Sequence, residues 1–277
     1  QTCALPILPH AHDRTLNGAW DGFIFTFDPK GKKRWSTYFG GNGDENDMAF
    51  CGLAVDLRGH IYLAGMTSSG GLATPGAYST APAGNDEVYL AKFGNVGGDF
   101  ATGSVVSDNL HWCTYLGGSG DDWAYVCRTS EDGSIYVGGA TYSANFPTAG
   151  GPMQAAKGTG AGSDGFFAQI SQDGASLLYA TFIGGDGTVL ENDDVLAMTI
   201  TRPGEIYVGG TARSTNNFLP GALTAPNLGK KDGFVVKFTE PTTAPCIGES
   251  TGPAIEALVY TYGVDLTNEL PNTLGAA

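Results

Sequence analysis

Three stretches of the chain place carboxylates just after a double glycine: Asp44, Glu45 and Asp47; Asp121 and Asp122; and Asp186, Glu191, Asp193 and Asp194. Hard cations such as Ca2+ gather several carboxylate and carbonyl oxygens at about 2.5 Å. An acidic loop recurring once per repeat could therefore hold one Ca2+ per repeat, with Asp44, Asp47, Asp121, Asp122, Asp193 and Asp194 as candidate ligands. The usual calcium-loop pattern fails, because Asp44-x-Asn46 is followed by Met48. The favoured role for these residues is plainer: one acid per junction accepts backbone N–H groups and fixes the turn. Adjacent pairs such as Asp121/Asp122 and Asp193/Asp194 also suit acid–base work on a glycosidic bond only poorly. Neighbours on a strand point to opposite faces and would not flank one bond.

The other reactive side chains are sparse. His10 and His12 lie near the start, His60 falls in a turn and His111 begins a strand-like run. No HExxH, GxSxG or P-loop pattern is present. The cysteines are Cys3, Cys51, Cys113, Cys127 and Cys246, spaced by 48, 62, 14 and 119 residues with no CxxC. Cys51, Cys113 and Cys127 are expected as small apolar core residues. No catalytic residue and no cofactor-binding residue is identified.

Those residues need a scaffold, and composition narrows it. Of 277 residues 43 are Gly, 42% are apolar, 11% aromatic and only 15% charged. Disordered acidic tails lack aromatics, and coiled coils are rich in Ala, Glu, Lys and Leu. A turn-dense, all-β protein remains. The formal charge of −14 disfavours a nucleic-acid partner, which requires a basic face. No stretch is long and apolar enough to insert in a membrane as a helix.

Periodicity gives the architecture. IYLAG at 61–65 recurs as IYVGG at 135–139 and 206–210, in steps of 74 and 71 residues. A second element begins with an acid at Asp21, Asp86, Asp164 and Asp232, and a third reads RWSTYFGG, HWCTYLGG and LYATFIGG, with a fainter copy at 258–264. Each unit of some 70 residues thus holds four short strands, joined by turns such as PKG, LRGH and EDGS. Such a unit cannot bury both faces alone, and radial repetition solves this as a β-propeller of four-stranded antiparallel blades. About three and a half blades are expected: a half blade at 18–41, then blades at 42–118, 119–185 and 186–264, with 265–277 beginning another or forming a tail. Fourteen strands follow, with helix nearly absent. The double glycines are expected to allow close backbone approach and unusual φ at the junctions. Trp35, Trp112 and Tyr179, and Tyr38, Tyr115 and Phe182, fall at matched positions and are expected to pack between blades, as are Tyr62, Tyr136 and Tyr207.

The motifs IYLAGMTSS, IYVGGATYSANFPT and IYVGGTARSTNNF, with DGFFAQISQDGASLLYATFIGG and the junction GGSGDD, resemble SBBP-type β-propeller repeats over roughly residues 18–264. Departures are an insert after Phe93, a loop after Phe238 and a stretched junction near Gly184. The resemblance implies a propeller in a secreted or cell-surface bacterial protein, within a larger chain, and carries no catalytic residues.

Residues 1–17 are expected to be disordered. The first seven, QTCALPI, back-translate to a string that resembles a sequencing adapter and are expected to be a processing scar. On that view the chain is a fragment of a larger ring, and its open blade edges invite self-association. The leading functional expectation is a non-enzymatic binding or scaffold module that recognises protein or glycan through rim loops at 68–85, 94–109, 143–163, 212–231 and 240–254. The alternatives are a carbohydrate-active enzyme with its site at the channel mouth, and a structural assembly subunit.

Overall fold

Four-residue turns punctuate the chain at regular intervals and set its topology. In the computed structural model, Gly31 N donates to Asp28 O, Gly59 N to Asp56 O, Gly133 N to Ser130 O and Gly174 N to Ser171 O, all at 2.9–3.1 Å. Asp28 and Asp56 tighten their turns further, since each Oδ1 accepts two downstream backbone N–H groups at 2.8–2.9 Å. The glycine that closes each turn has positive φ, 78° at Gly31 and 84° at Gly59, which side chains resist.

The structure describes residues 7, 11–46, 51–94, 110–131, 133–187, 192–201, 205–214, 231–239 and 254–256. Fourteen strands and no helix lie among them: β1 (Gly22–Phe27), β2 (Lys33–Phe39), β3 (Gly52–Val55), β4 (Ile61–Thr67), β5 (Glu87–Phe93), β6 (Leu110–Leu116), β7 (Asp122–Thr129), β8 (Ile135–Thr141), β9 (Asp164–Ile170), β10 (Leu177–Ile183), β11 (Asp194–Ile200), β12 (Glu205–Ala212), β13 (Asp232–Thr239) and β14 (Ala254–Glu256). They form a two-stranded first sheet, β1–β2, and three four-stranded sheets, β3–β6, β7–β10 and β11–β14, each antiparallel and in chain order. The expected fourth strand at 258–264 lies outside the described residues, and the strand paired to β13 is β14.

The sheets stack face to face. Ile24, Trp35 and Phe39 of the first sheet pack with Ile61, Leu63, Tyr89 and Phe93 of the second. The alternate residues Tyr62, Ala64, Val88 and Leu90 turn the other way, onto Ile135, Val137, Phe166 and Phe182 of the third. Tyr136, Phe167, Tyr179 and Ile183 then meet Val195, Val208, Phe234 and Phe238 of the fourth. A strand covered on both faces reads as a near-continuous apolar run, and β4, β5 and β8 are buried at every position. Trp35, Trp112 and Tyr179 occupy matched buried sites between sheets, while Tyr207 of the fourth sheet is only partly covered. Leu53 and Val55 of β3 are exposed, although Leu53 shares its register position with the buried Cys127 and Met198. Their face looks toward the first sheet, whose two strands do not span it.

Free edges are closed by the chain itself. In the second and third sheets the long connection between the second and third strands runs back along the fourth strand. A buried Thr at its centre does the tethering. Thr114 Oγ1 accepts from Ser79 N (2.9 Å) and Thr181 Oγ1 from Gln154 N (2.8 Å). Each hydroxyl also donates to that residue's carbonyl, at 3.3 and 3.2 Å. Thr37 does the same with Asp13, accepting its N–H at 2.9 Å. Asp13, in the segment expected to be disordered, is therefore held on the edge of β2, which offers it the same partner, and Thr15 and Asn17 bond back to Asp13 and Asp21. Cys113 and Cys127 are buried as expected, whereas Cys51 is exposed at the start of the uncovered β3.

Thr181→Val keeps the shape but leaves Gln154 N without an acceptor, while Gln154 O keeps its bond from Phe182 N. It should lower the unfolding free energy by about 1–3 kcal/mol, read from urea melts; an unchanged midpoint would refute the tether.

Candidate functional site

Each sheet passes to the next through a double glycine, and the carboxylates predicted there do come to the junction. Gly41 N donates to Glu45 Oε2 (2.9 Å), Gly118 N to Asp122 Oδ2 (2.7 Å) and Gly185 N to Asp193 Oδ2 (3.0 Å). The same carboxylates also accept from the end of the second strand or just beyond it. Thr67 Oγ1 donates to Glu45 at 2.5 Å and Ser143 Oγ to Asp122 at 2.8 Å. Asp193 accepts from Arg213 N (2.7 Å), Ser214 N (3.0 Å) and Ser214 Oγ. All three acids are buried. Each one thus joins the end of one sheet to the first two strands of the next.

A second acid stands opposite. Glu87 Oε2 accepts from Ala83 N (3.0 Å) and Gly84 N (2.9 Å), and Asp164 Oδ2 from Gly158 N (2.8 Å). In the first sheet Asp21 accepts from Asn17 N (2.8 Å) and Gly18 N (3.1 Å). The repeat frame is fixed by three backbone bonds: Glu45 N to Trp20 O, Asp122 N to Asp86 O and Asp193 N to Ser163 O. The residue after each of those carbonyls is the structural acid. Glu87, not Asp86, is therefore the equivalent of Asp21 and Asp164.

The two acids meet over the first glycine of the pair. A side chain at Gly117 would run into both Asp122 and Glu87, and one at Gly40 into both Glu45 and Asp21. Close approach, as expected, is why glycine stands there. Unusual φ is not the reason, since none of the six junction glycines has positive φ.

Burial sets the electrostatics. Desolvation raises Glu45, Asp122 and Asp193 above the ordinary carboxylate range, against the hydrogen bonds that lower them. Glu87 is pushed up to about 7, by burial first and by the nearby Asp122 charge as well. Asp164 is pushed up to about 6 by burial, with Asp193 adding to the rise and Lys157, 3.9 Å away, opposing it. Such a pair can hold a proton between like charges. Being buried, it latches sheets together.

The remaining candidates do not join this arrangement. Asp44 Oδ1 lies 3.2 and 3.3 Å from Ala19 N and Trp20 N on the exposed side. Asp121 contributes its carbonyl, to Tyr142 N at 2.9 Å. Asp194 enters β11 opposite Thr211. Asp47 lies outside the described residues. Among the described residues no three His, Cys, Asp or Glu are grouped to hold a metal ion.

A second polar cluster sits at the opposite end of the second sheet. Asp56 Oδ2 is 2.7 Å from His60 Nδ1 and accepts from Tyr62 OH at 3.0 Å. Lys92 Nζ lies 5.2 Å above the Tyr62 ring, and the His60 and His111 rings are 5.4 Å apart. Burial works to raise the Asp56 carboxyl, but the bonds from His60 and Tyr62 outweigh it and hold it low. Burial, with His60 and Lys92 close by, lowers His111. The fourth sheet repeats the acid–tyrosine–lysine theme, with Lys237 Nζ 2.6 Å from Glu205 and 5.9 Å above Tyr207. Sequence reading took His60 and His111 singly. The recurring Tyr of IYLAG and IYVGG opposite a Lys in β5 and β13 was the available signal.

The raised pKa values fix a pH dependence. A carboxyl with a higher pKa folded than unfolded stabilises the fold below its unfolded pKa, and that contribution is lost as pH rises through the folded value. With Glu87 about 7 and Asp164 about 6, the thermal midpoint should fall between pH 5 and pH 8. Glu87→Gln keeps an acceptor for Ala83 and Gly84 and should flatten the decline. Calorimetry across this range checks it, and a midpoint that rises with pH would contradict the assignment.

No protein-family model and no curated protein matches the chain.

Proposed function

We propose that the four sheets are successive blades of a β-propeller, and that the chain is a non-enzymatic binding or scaffold module of a secreted or cell-surface bacterial protein, recognising protein or glycan through its rim loops. The propeller reading is supported by the radial logic of the contacts. First strands lie next to first strands, β3 against β7 and β7 against β11, while the fourth strands face outward under their loops. The secreted or surface setting rests on the likeness to SBBP-type repeats.

The observation that carries the binding reading is the state of the loops. Those at 68–85 and 143–163 are pinned at several points. Thr74 N donates to Cys113 O (2.9 Å), Tyr78 N to Gly174 O (2.8 Å), and Ala149 and Ala180 exchange two backbone bonds at 3.1 Å. Tyr115 and Tyr179 hydroxyls accept from Leu72 N (2.9 Å) and Met153 N (3.2 Å). Between those anchors the loops present Gly, Ala, Pro, Ser and Thr with few charges. A pinned loop loses little entropy when a ligand arrives, which favours recognition. The junction carboxylates, by contrast, are committed to backbone donors and leave little for chemistry.

A glycan array and a panel of extracellular matrix proteins test this. The protein should bind at least one, and replacing 80–82 by a Gly–Ser linker, which keeps Ala83 and Gly84 on Glu87, should abolish binding while the melting curve keeps its shape. Turnover of a glycosidic substrate, or no binding to any of them, would overturn the reading.

A further inference from the structure

The polar cluster of the second sheet, opposite the junctions, holds two imidazoles that the scaffold does not require. Its turn, closed by Asp56 N to His60 O at 3.1 Å, recurs as Ser130 N to Ser134 O at 3.1 Å and Thr201 N to Glu205 O at 2.8 Å. Ser134 and Glu205 therefore stand where His60 does. His111 is the residue skipped where the pairing of β5 with β6 shifts, and Leu178 is skipped at the same place in β10. A bulge of this kind re-aims a side chain. His111 meets His60 there, with the ring centres 5.4 Å apart and the planes at 60°. Gly94 leaves the room, since a side chain on it would come within 2.8 Å of His111 Nε2. Two imidazoles that share one tetrahedral ion set their ring centres about 5 Å apart, because each nitrogen lies about 2.0–2.1 Å from the metal. The observed spacing matches.

His60 is also oriented as a ligand. The Asp56 carboxylate is gripped on both oxygens. Oδ1 accepts from Arg58 N (2.9 Å) and His60 N (2.8 Å), and Oδ2 from Tyr62 OH (3.0 Å). Oδ2 also accepts from His60 Nδ1 at 2.7 Å, which leaves the lone pair on Nε2. A carboxylate behind a histidine fixes the ring tautomer and orientation that metal ligation uses. The His111 ring is open to solvent.

We propose that His60 and His111 are the two protein ligands of a site for a divalent transition ion of the Zn2+ class, with Asp56 orienting His60 and water in the remaining positions. Imidazole selects such an ion over Ca2+ and Mg2+, which take oxygen. Lys92, held by Gln172 O at 3.4 Å and over the Tyr62 ring at 5.2 Å, opposes a dication, and the Asp56 charge offsets it. The inference does not rest on what the loops at 68–85 and 143–163 bind, and its test reads metal rather than ligand capture.

Titration calorimetry of the full chain with Zn2+, and with Ca2+ as the control, is the experiment. The wild type should show a Zn2+ step that Ca2+ does not reproduce. His60→Ser and His111→Leu copy the residues of the third sheet, so both should fold, and each should abolish that step while the metal-free melting curve stays that of the wild type. Asp56→Asn keeps an oxygen for the turn amides but presents an N–H to His60. It should weaken the step about tenfold, the lower end of what losing such a carboxylate costs. Two rings that are only in contact would bind no zinc. No Zn2+ step in the wild type, or a step unchanged in either histidine variant, overturns the proposal.

Discussion

A four-stranded antiparallel sheet has two apolar faces and no way to cover either by itself. Everything else in this structure follows from that constraint. It keeps β4, β5 and β8 buried at every position, since both sides touch protein. It also makes side-chain alternation directional, as Ile61 and Leu63 look back to the first sheet while Tyr62 and Ala64 look forward to the third. Removing a neighbour therefore exposes alternate residues rather than whole strands. Leu53 and Val55 are open where Gly52 and Ala54 are buried.

Stacking brings polar backbone with it at each passage from sheet to sheet, and there the chain uses carboxylates. Glu45, Asp122 and Asp193 each collect donors from two different segments, the double glycine that ends one sheet and the end of the second strand of the next. Much of the acidity in a chain of formal charge −14 is on the surface, but these groups are not. Their burial raises them, and Asp21 on the far side of the glycine raises Glu45 again. The arrangement favours the fold most when a proton is retained.

The repeat, the strand order and the turns were legible because each has a local cause. Asp28 and Gly31, or Asp56 and Gly59, close a turn by themselves, and IYLAG is apolar whatever surrounds it. The pairing of acids was not legible, because it joins residues such as Glu87 and Asp122, which lie 35 positions apart. Asp86 and Glu87 are adjacent acids, and only the bond from Asp122 N to Asp86 O decides which one turns inward. The role of residues 11–17 depended on an edge of β2 that composition does not reveal. Cys51 looked like its buried counterparts, but β3 has no full sheet in front of it.

The tether at the outer strand has a consequence for variation. Only one hydroxyl, Thr114 or Thr181, and a few neighbouring amides have to be met by the returning segment. Between that clasp and the amides that meet the second acid, Ala83 and Gly84 or Gly158, the segment can change length and sequence without disturbing the stack. The clasp thus separates what must stay constant from what is free to diversify, and it marks the places where foreign peptides could be grafted for display.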